Sequence, residues 1–153
     1  MANEIKGLVN ITTGQEIFDA DARYSSINLT EGMRVRLDGQ GFAIVAGFYE
    51  DIPVYFAGTI TGWKIFNSNR IGGSDAISID VRKCTYAQYA SNPYPITSIV
   101  ASEPLALSGG AYSAAGSCVG WTTVLAAGDM LRFYVSSCAD LTNLSIILNI
   151  TRT

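Results

Sequence analysis

Near its end this chain alternates apolar and polar residues so regularly that little besides a β-strand satisfies the pattern. Leu144, Ile146, Leu148 and Ile150 occupy every second position, which turns all four to one face of an extended backbone. Ile77, Ile79 and Val81 repeat the pattern within residues 76–82, and Met33-Arg34-Val35-Arg36-Leu37-Asp38 repeats it again. Apolar runs at 42–48, 52–56, 58–66, 118–125 and 130–135 read as further strands. Turn residues separate them: Asp38-Gly39-Gln40-Gly41, the 67–75 stretch, Ser108-Gly109-Gly110-Ala111 and Ala126-Ala127-Gly128-Asp129. Residues 84–94 carry three tyrosines and end in Asn92-Pro93-Tyr94-Pro95, an aromatic loop with room for one helical turn. No heptads and no long helical period are present, so a coiled-coil shaft is not expected. Short strands punctuated by Gly, Asn and Pro predict an all-β fold, most simply a jelly-roll-like β-sandwich with an N-terminal arm.

The length, 153 residues, suits one core. Residues 1–40 hold scattered charges (Asp19, Asp21, Arg23, Glu31, Arg34, Arg36, Asp38) among short apolar runs and read as the arm. Residues 41–153 read as the sandwich.

Charge is scarce in the second half. From Cys84 to Thr153 it is limited to Glu103, Asp129, Arg132, Asp140 and Arg152. Across the chain charged residues make up 15%, against roughly 25% in ordinary soluble domains. Such a segment is either packed into its own sheet core or covered by other copies and partners. That points to a structural or binding module working in an assembly.

Several function classes fall away. Net charge is −3 with no basic block, and phosphate neutralisation needs clustered Lys and Arg, so no nucleic-acid partner is expected. There is no apolar run of about 18 residues, hence no membrane insertion by a helix. The first residues lack the basic-then-apolar pattern of a signal peptide, which implies synthesis in a cytoplasm without export by that route. The chain contains no histidine, which removes Ser-His-Asp, Cys-His and histidine-ligated zinc sites. No pair of carboxylates is marked for glycosidase chemistry. The chain is therefore not expected to be an enzyme, nor to carry a cofactor or metal. Asp19, Asp21 and Asp38 match no calcium-loop spacing and read as a solvated face or an inter-subunit ion pair. Cys84, Cys118 and Cys138 are odd in number and widely spaced. They read as small buried hydrophobes, and a Cys118–Cys138 bridge would require two strands side by side. The Asn-x-Ser/Thr triplets at Asn10, Asn28, Asn143 and Asn149 are chance occurrences in a Thr- and Asn-rich β protein.

Aromatic residues are the remaining candidates. Trp63 and Trp121 sit in predicted strands and are expected to fill the core. Tyr86, Tyr89, Tyr94 and Tyr112 are the candidate contacts for a partner or a glycan, since such rings join apolar area to a polar tip. Tyr89 and Tyr94, on the Pro-containing loop, are expected to be exposed.

Two stretches resemble a known family. The first is Ala57-Gly58-Thr59-Ile60-Thr61-Gly62-Trp63-Lys64-Ile65-Phe66, continued by Ala76-Ile77-Ser78-Ile79-Asp80-Val81-Arg82-Lys83-Cys84-Thr85-Tyr86. The second runs Gly120-Trp121-Thr122-Thr123-Val124-Leu125-Ala126-Ala127-Gly128-Asp129-Met130-Leu131-Arg132-Phe133-Tyr134-Val135 and resumes from Leu144 to Thr153. Together they are similar to a β-sandwich domain found at the C-terminus of many tailed-bacteriophage fibre and virion-surface proteins. In that family the second stretch is a hairpin with Gly128-Asp129 in its turn. The likeness spans residues 42–153, departs from the family pattern at 99–117, and leaves 1–40 outside.

The resemblance implies no catalysis. It implies a virion structural protein, often trimeric, at the virion surface. With no shaft, the chain is expected to be a capsid decoration or head-fibre-like module, its arm docked on other virion proteins such as the major capsid protein. The alternative is a tail-fibre tip or carbohydrate-binding module that reads a host-surface glycan.

Overall fold

A computed structural model of the chain describes residues 30–67, 76–91, 97–109, 111 and 113–153. Among them lie ten strands: β1 (Thr30–Asp38), β2 (Tyr49–Pro53), β3 (Gly58–Asn67), β4 (Ala76–Thr85), β5 (Thr97–Ser98), β6 (Leu105–Leu107), β7 (Ser113–Gly116), β8 (Val124–Leu125), β9 (Asp129–Ala139) and β10 (Asn143–Arg152). One short helix, α1 (Tyr86–Ala90), follows β4.

The pairings are antiparallel and nested. β1 pairs β10, β2 pairs β9, β3 pairs β7 and β8, and β4 pairs β5 and β6. A chain paired in that way is one long ribbon. The ribbon wraps on itself, so that β10 also meets β3 and β9 also meets β4. The result is two sheets, β1-β10-β3-β7 with β8 on β3, and β2-β9-β4-β5 with β6 on β4. This is jelly-roll connectivity, as the pattern of short strands predicts.

The core lies between the sheets and is built by the alternation. Val35, Leu37, Ile60, Ile65, Leu144, Ile146, Leu148 and Ile150 come from the first sheet. Ile77, Ile79, Val81, Leu131, Phe133 and Val135 come from the second, and all are buried. Each such side chain contributes about 1.5–3 kcal/mol by leaving water. Two bulges adjust the wrap. Thr61 is the extra residue between β3 and β10, and Ser136 the extra residue between β9 and β4, each bending its strand locally.

Several expectations shift. β1 is an integral strand of the first sheet, so residues 30–38, read as part of the arm, pair within the sandwich; residues 1–29 lie outside the described residues. The 42–48 run is a looped link. Its amides are taken one by one, Ile44 N–H by Leu141 O at 2.6 Å and Gly47 N–H by Val135 O at 2.9 Å, and Gly47 sits at φ +92°. Of the expected strand at 118–125 only β8 forms. Trp121 is buried as expected but on a link, its indole N–H donating to Glu103 O at 3.0 Å.

The turn at residues 126–129 forms, yet it closes no hairpin. Asp129 N–H donates to Ala126 O at 3.1 Å with Gly128 at φ +90°, as a type II turn requires. β8 belongs to the first sheet and β9 to the second, so this turn carries the chain across the sandwich.

The scarcity of charge after residue 84 is largely absorbed by this core. Leu105, Leu107, Leu131, Phe133, Val135, Leu141 and the β10 set are inside. Exposed positions there are mostly Ala, Ser and Gly. Cys84, Cys118 and Cys138 are free thiols, the first buried and the others half-buried.

Candidate functional site

The outer face of the second sheet holds the most ordered group of polar and aromatic side chains. Strand parity places them. Leu131, Phe133 and Val135 point inward, so Arg132 and Tyr134 point out; Ile79 and Val81 point inward, so Asp80 and Arg82 point out. Register then aligns two rows. Tyr49, Tyr134 and Asp80 are direct neighbours across β2, β9 and β4, and Asp51, Arg132, Arg82 and Ser98 continue to β5.

Arg132 is the hub. Its Nε donates to Asp51 Oδ1 and its Nη2 to Asp51 Oδ2, both at 2.7 Å. The two side chains are 13% and 12% exposed. A planar guanidinium meeting a carboxylate in this two-point way fixes both orientations. The guanidinium carbon also lies 3.8 Å from the centre of the Tyr49 ring. Arg82 repeats the motif one strand over. It stacks 4.1 Å from the Tyr134 ring centre, and its Nε donates to Asp80 Oδ2 at 2.7 Å. Ser98 Oγ donates to Asp80 Oδ1 at 2.6 Å. Each stacked cation contributes about 0.5–1 kcal/mol at such partly wet positions.

Helix α1 is clamped onto this face. Thr85 caps it: Gln88 N–H donates to Thr85 Oγ1 at 3.2 Å, and Thr85 N–H donates to Gln88 Oε1 at 2.9 Å. This reciprocal box holds a helix too short to persist alone. The Tyr89 hydroxyl then donates to Asp51 Oδ2 at 2.9 Å. Tyr89 is therefore half-buried rather than exposed, while Tyr86 is exposed. Tyr94 and Tyr112 lie outside the described residues. Of the four tyrosines singled out from sequence, the structure thus brings together Tyr86 and Tyr89.

A second polar knot lies at the same end of the sandwich. Asp129 is buried; its Oδ2 accepts from Ala126 N–H at 2.9 Å and faces Lys83 Nζ at 3.4 Å. Lys83 Nζ donates in turn to Val124 O at 2.8 Å. Val54 closes the knot from the β2–β3 link, donating to Asp129 O at 2.8 Å and accepting from Gly128 N–H at 2.7 Å. Burial pushes the neighbouring Cys84 thiol up from its ordinary range, with Asp51 adding to the effect and Arg132 opposing it.

Large apolar side chains stand in water around this knot. Tyr55 (82% exposed), Tyr86 and Val124 surround it, and Val119 is exposed on the β7–β8 link. At the opposite end Phe42 (78% exposed) and Val45 project from the β1–β2 link. Among the described residues no three His, Cys, Asp or Glu side chains converge as metal ligands. Asp38 accepts from Gln40 N–H at 2.8 Å and pairs with Arg36; Asp19, Asp21 and Asp75 lie outside the described residues.

The ladder was missed by sequence reading, although the same alternation that marks the core marks Arg132, Tyr134, Asp80 and Arg82 on the reverse face. What it offers chemically is a stiff platform of rings and guanidinium planes with its charges already neutralised. That composition, rich in Tyr and Arg, is the one enriched at protein interfaces.

No family model matches the chain. No curated protein matches it. A chain in a solved structure of turnip yellow mosaic virus is similar over 82% of this chain and 81% of its own length, at 10% identity and a TM-score of 0.34.

Proposed function

We propose that this chain is a structural protein of a bacteriophage virion surface, a capsid decoration or head-fibre-like module that works by association. The observation that carries the reading is the set of large apolar side chains exposed at the two ends of the sandwich. Tyr55, Tyr86 and Val124 stand at one end, and Phe42 and Val45 at the other. Isolated exposed apolar residues are ordinary, whereas grouped ones mark surfaces that are covered in the working assembly. The resemblance of residues 57–66, 76–86, 120–135 and 144–153 to virion-surface sandwiches supports the same reading. In this proposal the chain forms a homo-oligomer, a trimer, and the residues before Thr30 dock on other virion proteins. No catalytic step is involved.

The test is the mass of the purified full chain by light scattering, followed by its location in particle images. A trimer that co-purifies with particles at fixed stoichiometry is the expected result. A monomer at tens of micromolar that is absent from particles refutes the proposal.

A second reading, a glycan-binding tip, is favoured by one observation: Tyr86 is exposed on a helix that Tyr89 pins to the sheet. A glycan array in which binding is saturable and lost in Tyr86→Ala would favour it over a purely structural role.

A further inference from the structure

The outer face of the first sheet differs from that of the second. Where Arg82, Arg132, Asp51 and Asp80 neutralise one another, the cations on this face outnumber the carboxylates among the described residues. Arg34 and Arg36 stand on β1, Lys64 on β3, and Asn143, Ser145 and Ile147 on β10 between them. Register sets Arg34, Ile147 and Lys64 in one row and Arg36, Ser145 and Phe66 in the next. Among the described residues the carboxylate that pairs on this face is Asp38, 3.1 Å from Arg36. Arg34 and Lys64 pair with no described carboxylate.

Two further observations bear on what this face accepts. Arg34, Arg36, Asn143 and Ser145 line one surface depression, and Ser145 is only 7% exposed. Its hydroxyl makes no hydrogen bond among the described residues. A hydroxyl removed from bulk water and left without a partner is a donor or acceptor awaiting one. In addition, β1 is an edge strand: it pairs β10 on one side and no described strand on the other. It runs nine residues without a bulge. Edges of that length and regularity are templates for strand addition unless blocked.

Charge decides which strand is welcome. A second copy of β1 laid antiparallel, with both core faces on the same side, pairs even positions with even positions. Two central registers then set Arg34 against Arg34 or Arg34 against Arg36; the Arg36-against-Arg36 register, which also places Arg34 opposite Asp38, lies nearer the strand end. Like charges directly opposite are destabilising. A strand carrying carboxylates on alternate residues meets the reverse situation.

We infer that β1 and the adjoining outer face of the first sheet form a docking site for an extended acidic segment of a partner protein. The segment adds its backbone along the edge of β1 that no described strand pairs and sets alternate carboxylates toward Arg34 and Arg36, with Lys64 and the Ser145 hydroxyl behind them. The inference does not require the virion reading; it holds or fails for the isolated chain.

The probe is a fluorescent decapeptide alternating glutamate and threonine, titrated against the full chain by anisotropy, with the glutamine–threonine peptide as control. Saturable binding of the glutamate peptide, at least ten-fold tighter than the glutamine peptide and weakening with salt, is expected. Arg34→Gln with Arg36→Gln should lose ten-fold or more while retaining the wild-type melting temperature, since both side chains are solvent-facing. Protection of β1 amides from hydrogen exchange on binding is the second readout, because it reports strand addition and not charge alone. Equal binding of the two peptides, no binding of the glutamate peptide, or an undiminished double variant overturns the inference. So does equally tight binding of a ten-nucleotide single strand, which would make the face a general polyanion site.

Discussion

Replacing Asp51 by alanine tests whether the ladder on the second sheet is a rigid platform or a surface decoration. The change removes both oxygens that Arg132 grips at 2.7 Å and the acceptor of the Tyr89 hydroxyl. Charge-assisted bonds contribute about 1.5–3 kcal/mol each, and stranding one partner of a buried pair costs about 3–5 kcal/mol. Arg132 retains a little solvent contact and its stacking on Tyr49, so the lower end applies, about 3 kcal/mol. For a domain of about 120 residues the unfolding entropy near the midpoint is about 0.25 kcal/mol/K, and the melting temperature should fall by about 12 °C. Thermal unfolding followed by circular dichroism measures this directly. The paired variant Asp51→Leu with Arg132→Met should recover to within about 1 kcal/mol of wild type, because an apolar pair of similar volume leaves no charge stranded. A shift below about 3 °C for Asp51→Ala, or a double variant as unstable as the single, would refute the hub role assigned to Arg132.

Four further outcomes are expected. Gly116→Val should destabilise by about 1–3 kcal/mol and shift Trp fluorescence, since a Cβ there would come within 2.6 Å of the Trp63 indole; an unchanged spectrum contradicts the close approach. Phe133→Ala, at the centre of the core, should cost about 3–5 kcal/mol in chemical denaturation. Tyr55→Ser with Val124→Ser should leave stability within about 0.5 kcal/mol yet weaken self-association in sedimentation; oligomers that persist unchanged remove this end as an interface. Thiol labelling should reach Cys84 last, because it is buried and its acidity is suppressed. A thiol whose folded pKa is raised adds stability below its unfolded value, about 8.5, and loses that contribution as pH climbs through the folded value, so Cys84→Ala should flatten any decline of stability above about pH 9.

Alternation made most of the architecture legible. The inward sets Ile77-Ile79-Val81 and Leu144-Ile146-Leu148-Ile150 are buried as their spacing requires, and the helical turn allowed in the 84–94 stretch appears as α1. Misreadings came where apolar content and extended backbone part company. Residues 42–48 are apolar enough for a strand, but the Phe42 and Phe48 amides close local turns while those of Ile44 and Gly47 bond to Leu141 and Val135, a tertiary choice that no local pattern encodes. The same holds at residues 126–129. Gly128 announces a turn, but whether the flanking strands pair with each other depends on Val124 bonding to Thr59 and Met130 to Cys84. The candidate site was half legible. Tyr86 and Tyr89 were visible as aromatic residues on a loop. The link between Tyr89, Asp51 and Arg132 joins residues 38 and 81 positions apart, and only the fold closes that distance.

The nested pairing also orders the events of synthesis. β10 lies between β1 and β3 in its sheet, yet it leaves the ribosome after both. Until Asn143–Arg152 emerges, two earlier strands hold open hydrogen-bonding edges and an uncovered apolar face. The nascent chain must therefore wait, half-built and sticky, for β10, and shielding by a chaperone in that interval would raise its yield.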